Sequence, residues 1–257
     1  MRESPAVLSL KQVSVAFGNA AARPVLSGIS FDVADGEFLC VVGPSGCGKT
    51  TLIRLLAGLL APSAGEILFR GKPLAGTSRD RAIVFQDYSK ALLPWRTVAG
   101  NVALSLEACG VAEPERSRRI GALLAKMRLE SAADRYPSQL SGGMQQRVQI
   151  ARCLAQEPGL LLMDEPFGAL DAITRQGLQD EIARLAAEQR ATVVFITHDL
   201  EEAIYLGDRV IVLAAEPGRI AEMVEVGIAR PRDQLGTRED PRFLEHRRRL
   251  FGLLQGH

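Results

Sequence analysis

No stretch of this chain is apolar over anything near the roughly 20 residues that cross a bilayer. Its start does not make a secretory signal either: Met1–Pro5 is polar, and the apolar Val7–Leu10 behind it is short. The chain is therefore expected to be soluble and cytosolic on its own. An excess of one charge is missing as well. The formal net charge is +1, which makes no field that would draw nucleic acid or an acidic partner. Cysteine is scattered, at Cys40, Cys47, Cys109 and Cys153, without a C-x-x-C pair, so neither a zinc site nor a disulfide framework is indicated. No internal repeat is visible. At 257 residues the chain has room for one large domain or two small ones.

What is present starts with Gly43-Pro44-Ser45-Gly46-Cys47-Gly48-Lys49-Thr50, which fits the phosphate-loop pattern G-x-x-x-x-G-K-[ST]. The apolar run Phe38–Val42 before it reads as a buried strand. Leu52, Leu55, Leu56 and Leu59 after it recur at helical spacing. A glycine-rich turn between a strand and a helix lets backbone N–H groups point inward around phosphate oxygens, at the positive end of the helix. Lys49 can then reach the β and γ phosphates, and the Thr50 hydroxyl can ligate Mg²⁺. Cys47 lies beside Lys49 and a helix N-terminus, both of which favour thiolate, so it is expected to react with thiol reagents.

Leu160–Met163 reads as a second buried strand, and it ends in Asp164-Glu165. Asp164 is positioned to hold Mg²⁺, and Glu165, one residue on, to orient or deprotonate an attacking water. Between the two motifs stands Leu140-Ser141-Gly142-Gly143-Met144-Gln145-Gln146. Ser141 can cap a helix whose stripe is Met144, Val148, Ala151 and Ala155. Gly142 and Gly143 are poor helix formers in its first turn, and close approach of an anion is a reason to keep them. One nucleotide needs one such cradle, so this second site is expected to serve the nucleotide of another subunit.

Taken with Gln86, Ala169-Leu170-Asp171 and His198, these segments resemble an ATP-binding-cassette ATPase subunit over residues 5–227. The resemblance implies an α/β phosphate-loop NTPase fold: a mainly parallel core sheet, an antiparallel β subdomain and an inserted α-helical subdomain at about 87–157. It implies that Lys49, Gln86, Glu165 and His198 take part in hydrolysis. Phe17 would stack on adenine where the family more often has Tyr; the other reading of Phe17 is a core residue of a strand Val13–Phe17. Gly43, Pro44, Ser45, Gly46, Cys47, Gly48, Lys49, Thr50 and Thr51 would hold the phosphates. Ser141, Gly142, Gly143 and Gln145 would meet the nucleotide of a second copy, with Asp171 linking the two sites. Thr50, Gln86 and Asp164 would surround Mg²⁺. ATP and Mg²⁺ are the implied ligands, and a head-to-tail homodimer the implied assembly.

Gln86 is followed by Leu92-Leu93-Pro94-Trp95-Arg96-Thr97-Val98, with the only tryptophan of the chain, and by Asn101-Val102. An apolar and aromatic cluster there suits a docking groove for a partner's helix, or else the local core of the helical segment. The stretch resembles the ATPase subunits of nitrate, sulfonate and taurine importers. That implies a permease in the membrane, an extracytoplasmic substrate-binding protein, and a place on the cytoplasmic face. The competing class is a cassette ATPase acting on a soluble or nucleoprotein partner. Against it stand the neutral charge and the lack of a long coiled-coil insertion or a second cassette. Beyond Ile228 the composition turns to Arg, Pro, Asp and Gly. This tail, 228–257, is expected to end in a short helix, Pro241–Leu254, with Phe243, Leu244, Leu250, Phe251 and Leu254 on its apolar side.

Overall fold

The computed structural model describes residues 6–18, 23–168 and 170–255. Pro5 and Ala169, named above, lie outside them. The chain forms two compact units, one of Met1–Ser78 with Ile182–His257 and one of Arg79–Glu181.

In chain order the first unit opens with β1 (Ala6–Val15), β2 (Leu26–Ala34), β3 (Phe38–Val42), α1 (Lys49–Ala57), β4 (Ala64–Phe69) and β5 (Lys72–Pro73). β1 pairs antiparallel with β2 and β4, and β5 pairs with β4. Leu8 and Leu10 turn inward, then Val13 and Val15. The parity changes because Gln12 sits at φ 51 and the register shifts between Leu10 and Val13. An inserted residue of this kind moves every later side chain to the other face.

The second unit holds β6 (Arg81–Val84), α2 (Tyr88–Ala91), α3 (Val98–Ala108), α4 (Glu113–Lys126), α5 (Gly142–Leu154) and β7 (Leu160–Asp164). α6 (Ala172–Gln189) begins here and contains the boundary. The segment 87–157 is largely helical, and β6 and β7 on either side of it pair in parallel.

The chain then completes the first unit with β8 (Thr192–Ile196), α7 (Leu200–Leu206), β9 (Arg209–Ala214), β10 (Arg219–Glu225), α8 (Gly236–Glu239) and α9 (Pro241–Gln255). β3 runs parallel to β8 and β9, and β10 closes antiparallel onto β9. Every residue of β3 and β8 is buried, as strands covered on both faces require. With parallel pairs in both units and a separate antiparallel sheet, the chain has the α/β architecture expected of it.

Two apolar expectations change. α1 stops at Ala57 because Gly58, at φ 76, turns left-handed and donates to Leu55 O, while Leu59 N donates back to Arg54 O. Leu59 is therefore beyond the helix and 54% exposed, while Leu52, Leu55 and Leu56 are buried. α9 buries Phe243 and Leu250 but leaves Phe251 exposed. Within the first unit α9 packs against α7 and β9, and its basic run is tied down at Arg247–Glu201 (3.1 Å) and Arg249–Glu222.

Candidate functional site: a phosphate loop, a carboxylate strand end and a glycine-led helix

In the first unit β3 ends at Val42, the loop 43–48 turns, and Lys49 starts α1. Gly48 occupies the cap position at φ 95, where a Cβ would also strike Leu26 Cδ2 at 2.6 Å. Only glycine meets both conditions. No side chain caps α1, and its first turn carries no acid. The helix thus presents its positive end and its first N–H groups to whatever sits on the loop. Lys49 Nζ donates to Gly43 O (2.7 Å) and Pro44 O (3.0 Å). An ammonium has three protons, so the lysine is braced by two and can give the third to a phosphate oxygen. Ser45, Gly46 and Thr50 are exposed, and Pro44 and Thr51 half-buried.

Cys47 departs from expectation. It is 1% exposed, and its Sγ packs so closely on Gly43 that a Cβ there would lie 2.7 Å away. Burial pushes the thiol upward, and Lys49 pulls it down by less. Loss of water around the sulfur outweighs the neighbouring cation. Cys47 is a packing residue of the loop, not a ready nucleophile.

β8 delivers His198 to the same end of the unit. Val41 lies opposite Ile196, so two residues further along each strand stand Gly43 and His198. Thr197 N donates to Val41 O (3.2 Å), and the Thr197 hydroxyl donates to Glu202 Oε2 (2.7 Å). Asp199 Oδ1 accepts from Glu201 N (2.8 Å) and Glu202 N (3.2 Å), capping α7. His198 is exposed between these two fixed neighbours. Phe17 lies past the end of β1 and is 53% exposed, which removes the core-strand reading and leaves a ring face for stacking.

In the second unit the same parallel geometry recurs. Val84 lies opposite Met163, so Gln86 and Glu165 stand two residues beyond. Gln86 Nε2 donates to Glu165 Oε2 at 3.4 Å. Asp164 ends β7 at 8% exposure. Glu165 has φ 43, a left-handed conformation that costs a non-glycine residue about 1–2 kcal/mol. The turn that holds it is closed by Gly168 N to Glu165 O (3.3 Å) and anchored by the buried Phe167. Strain held at a carboxylate beside a strand end is a feature of functional sites.

Ser141 caps α5 by accepting from Met144 N (3.4 Å). Gln145 is turned back on its own loop, its Nε2 donating to Pro137 O (3.0 Å) and Leu140 O (3.4 Å). It shapes the segment that carries Ser141. Gly143 has a reason the sequence did not show: a Cβ on it would lie 2.6 Å from Thr174 Cγ2. Packing against the start of α6 requires glycine there, whether or not an anion approaches. Asp171 caps α6 by accepting from Thr174 N (3.0 Å). The Thr174 hydroxyl, and then its N–H, hold the Asp171 carboxyl below the usual aspartate range.

The stretch after Gln86 divides cleanly. Leu92 is buried, whereas Trp95 is 71% exposed, so Trp95 is not local core. Asn101 is the residue whose role the sequence did not reveal. Fully buried, it accepts from Leu93 N (2.8 Å), and its Nδ2 reaches the carbonyls of Leu93, Arg96 and Thr97 at 3.0–3.1 Å. A single Asn on the buried face of an apolar helix, eight residues past Leu93, was the available signal.

The residues assigned to Mg²⁺ offer a hydroxyl (Thr50), a carboxylate (Asp164) and a carboxamide oxygen (Gln86). Hard oxygen donors of this kind, few in number, fit an ion that takes most of its shell from phosphate and water.

A family model described as "ABC transporter" matches residues 26–168. An uncharacterized ABC transporter ATP-binding protein of Methanocaldococcus jannaschii is 49% identical over 90% of this chain and 84% of its own length. A taurine import ATP-binding protein of Chromobacterium violaceum is 44% identical over 96% of this chain and 95% of its own. Among solved structures, a dimeric post-hydrolysis state of an ATP-binding cassette bound to ADP and Pi superposes with a TM-score of 0.75. It is 31% identical and covers 86% of this chain and 100% of its own. With a phosphate loop, a carboxylate-ended strand and relatives of this similarity, the chain belongs to the ABC transporter family, as an ATP-binding subunit whose ATPase activity is coupled to transport.

Proposed function

We propose that this chain energises uptake of a small anion, such as taurine, another sulfonate or nitrate, through a membrane permease. It would act as a head-to-tail homodimer on the cytoplasmic face of the membrane. The observation that carries the permease reading is Trp95: a large aromatic, mostly exposed, on a loop pinned by Asn101 and reached within ten residues of Gln86. The taurine import relative, similar along nearly its whole length, supports the importer class. The dimeric cassette structure supports the assembly.

In this reading Lys49 and the first-turn N–H groups of α1 bind the β and γ phosphates, and Phe17 stacks on the base. Glu165 accepts a proton from the attacking water, and Gln86 holds the Glu165 carboxylate through the hydrogen bond between them. His198 donates to the γ-phosphate. Thr50, Asp164 and Gln86 would hold Mg²⁺, which when bound offsets charge on the β and γ oxygens. Ser141, Gly142 and Gly143 of one subunit bind the γ-phosphate held by the other, and Asp171 connects the two sites. Loss of that phosphate on hydrolysis opens the dimer, and Trp95 passes the movement to the permease.

The test is capture of tagged Glu165→Gln protein with MgATP from detergent-solubilised native membranes, with partners identified by mass spectrometry. A stoichiometric multi-span membrane protein is expected, together with loss of anion uptake in cells carrying Lys49→Ala. Soluble or ribosomal partners alone would overturn the importer reading.

A further inference from the structure

Among the described residues β6 pairs with β7 on one edge only, and its other edge must find donors and acceptors elsewhere. Alternate residues of a strand direct their backbone groups to the same edge. Leu160 N donates to Asp80 O, so the even positions serve β7 and the odd positions, Ile83 and Phe85, face away from it. Both are met by α5. Cys153 Sγ lies 3.3 Å from Ile83 O. One helical turn earlier, Gln149 is fully buried. With its carboxamide oriented to suit its neighbours, its nitrogen donates to Phe85 O (3.2 Å) and its oxygen accepts from Phe85 N (2.7 Å). One side chain thereby satisfies both backbone groups of a residue beyond the end of its strand, as a neighbouring strand would.

Phe85 directly precedes Gln86, whose amide holds Glu165. Gln149 is carried by the helix that begins at Gly142 under the Ser141 cap. We propose that Gln149 is a positioning residue. Its two-point clamp on the Phe85 peptide fixes the direction in which Gln86 leaves β6 and makes that departure move with α5. What happens at Ser141-Gly142-Gly143 is thereby conveyed to the Gln86–Glu165 pair. The inference rests on the role given above to Gln86. An exposed ring at Phe85 (43%) cannot fix the peptide by packing alone, so the clamp supplies what burial does not.

The experiment uses Gln149→Met, which keeps an unbranched side chain of similar volume and removes both hydrogen bonds. Steady-state ATPase of the full chain is measured for wild type, Gln149→Met, Gln86→Ala and the double variant. Cys153→Ala is the control that loosens the same strand edge without touching Phe85. Misplacement of a catalytic partner by a fraction of an ångström to an ångström lowers turnover by up to about 100-fold. Gln149→Met should therefore lower kcat at least about tenfold, with KM for ATP within about twofold of wild type. It should lower kcat no further in the Gln86→Ala background. Cys153→Ala should leave kcat within about twofold of wild type. Gln149→Met with wild-type kcat, or an undiminished effect in the Gln86→Ala background, overturns the proposal. If Gln86→Ala itself retains wild-type kcat, the role of Gln86 falls and the proposal falls with it. Gln86→Ala impaired beside an unaffected Gln149→Met removes the clamp alone. Should Gln149→Met not fold, amide exchange in the wild-type protein decides: Phe85 N–H should be protected, and exchange at the rate of an open loop overturns the clamp.

Discussion

Replacing Gly143 by alanine distinguishes a glycine kept for packing from one kept for an approaching anion. The new Cβ would lie 2.6 Å from Thr174 Cγ2, while the next neighbours, Leu170 Cδ2 at 3.8 Å and Thr174 Cβ at 4.0 Å, are ordinary contacts. Thr174 has little freedom to yield. It is β-branched, and its hydroxyl and N–H are both engaged by Asp171. Overpacking of this kind costs about 1–3 kcal/mol, against a gain of up to about 1 kcal/mol from replacing glycine by alanine in a helix. Gly143→Ala should therefore be net destabilising by about 1 kcal/mol, which lowers Tm by about 2–4 °C in a chain of this size. Thr174→Ser removes Cγ2 and keeps the hydroxyl. In that background Gly143→Ala should change sign and raise Tm, since only the helix gain remains. Thermal unfolding followed by circular dichroism on the four proteins of this cycle reads the result. An equal shift in both backgrounds would refute the packing argument.

Thiol titration of the native protein should label Cys109 first. Cys40, Cys47 and Cys153 are buried and should react only on unfolding; fast modification of Cys47 that MgATP prevents would restore the reactive-thiolate expectation. Trp95→Ala should leave Tm nearly unchanged, within about 0.5 kcal/mol of stability, yet abolish capture of the membrane partner; a large loss of stability would contradict its exposure. The Asp171 carboxyl is held below its unfolded range, so its contribution to the α6 cap is complete above the unfolded value of ~3.9. That contribution is lost as pH falls through the lowered folded value. The Tm difference between wild type and Asp171→Ala should thus be present at neutral pH and vanish in strong acid, and a difference independent of pH would refute the charged cap.

Fold class and the placement of the candidate residues at strand ends were legible because their signals are local. Phe38–Val42 and Leu160–Asp164 are short apolar runs followed by glycine or ending in acid, and within each unit parallel pairing sets the end of such a run beside the end of its partner strand. That is why Gly43 with His198, and Gln86 with Glu165, follow from register alone. What stayed hidden depends on through-space neighbours. The parity change in β1 follows from a bulge at Gln12 that alternation does not announce. Leu59 fits a helical stripe that Gly58 has already ended. The burial of Cys47 depends on how Gly43 folds over it, and the need for Gly143 depends on Thr174, 31 positions away. Gln149 was invisible for the same reason: its partner is a backbone peptide of another element, which leaves no mark in either segment's composition.

The central claim is that this subunit closes on ATP as a pair and opens on hydrolysis. The direct measurement is the mass of purified Glu165→Gln protein by multi-angle light scattering, with and without MgATP. A monomer that becomes a stable dimer only with MgATP, beside a wild type that dimerises transiently, is the predicted result. A Glu165→Gln protein that binds MgATP and remains a monomer would contradict the account.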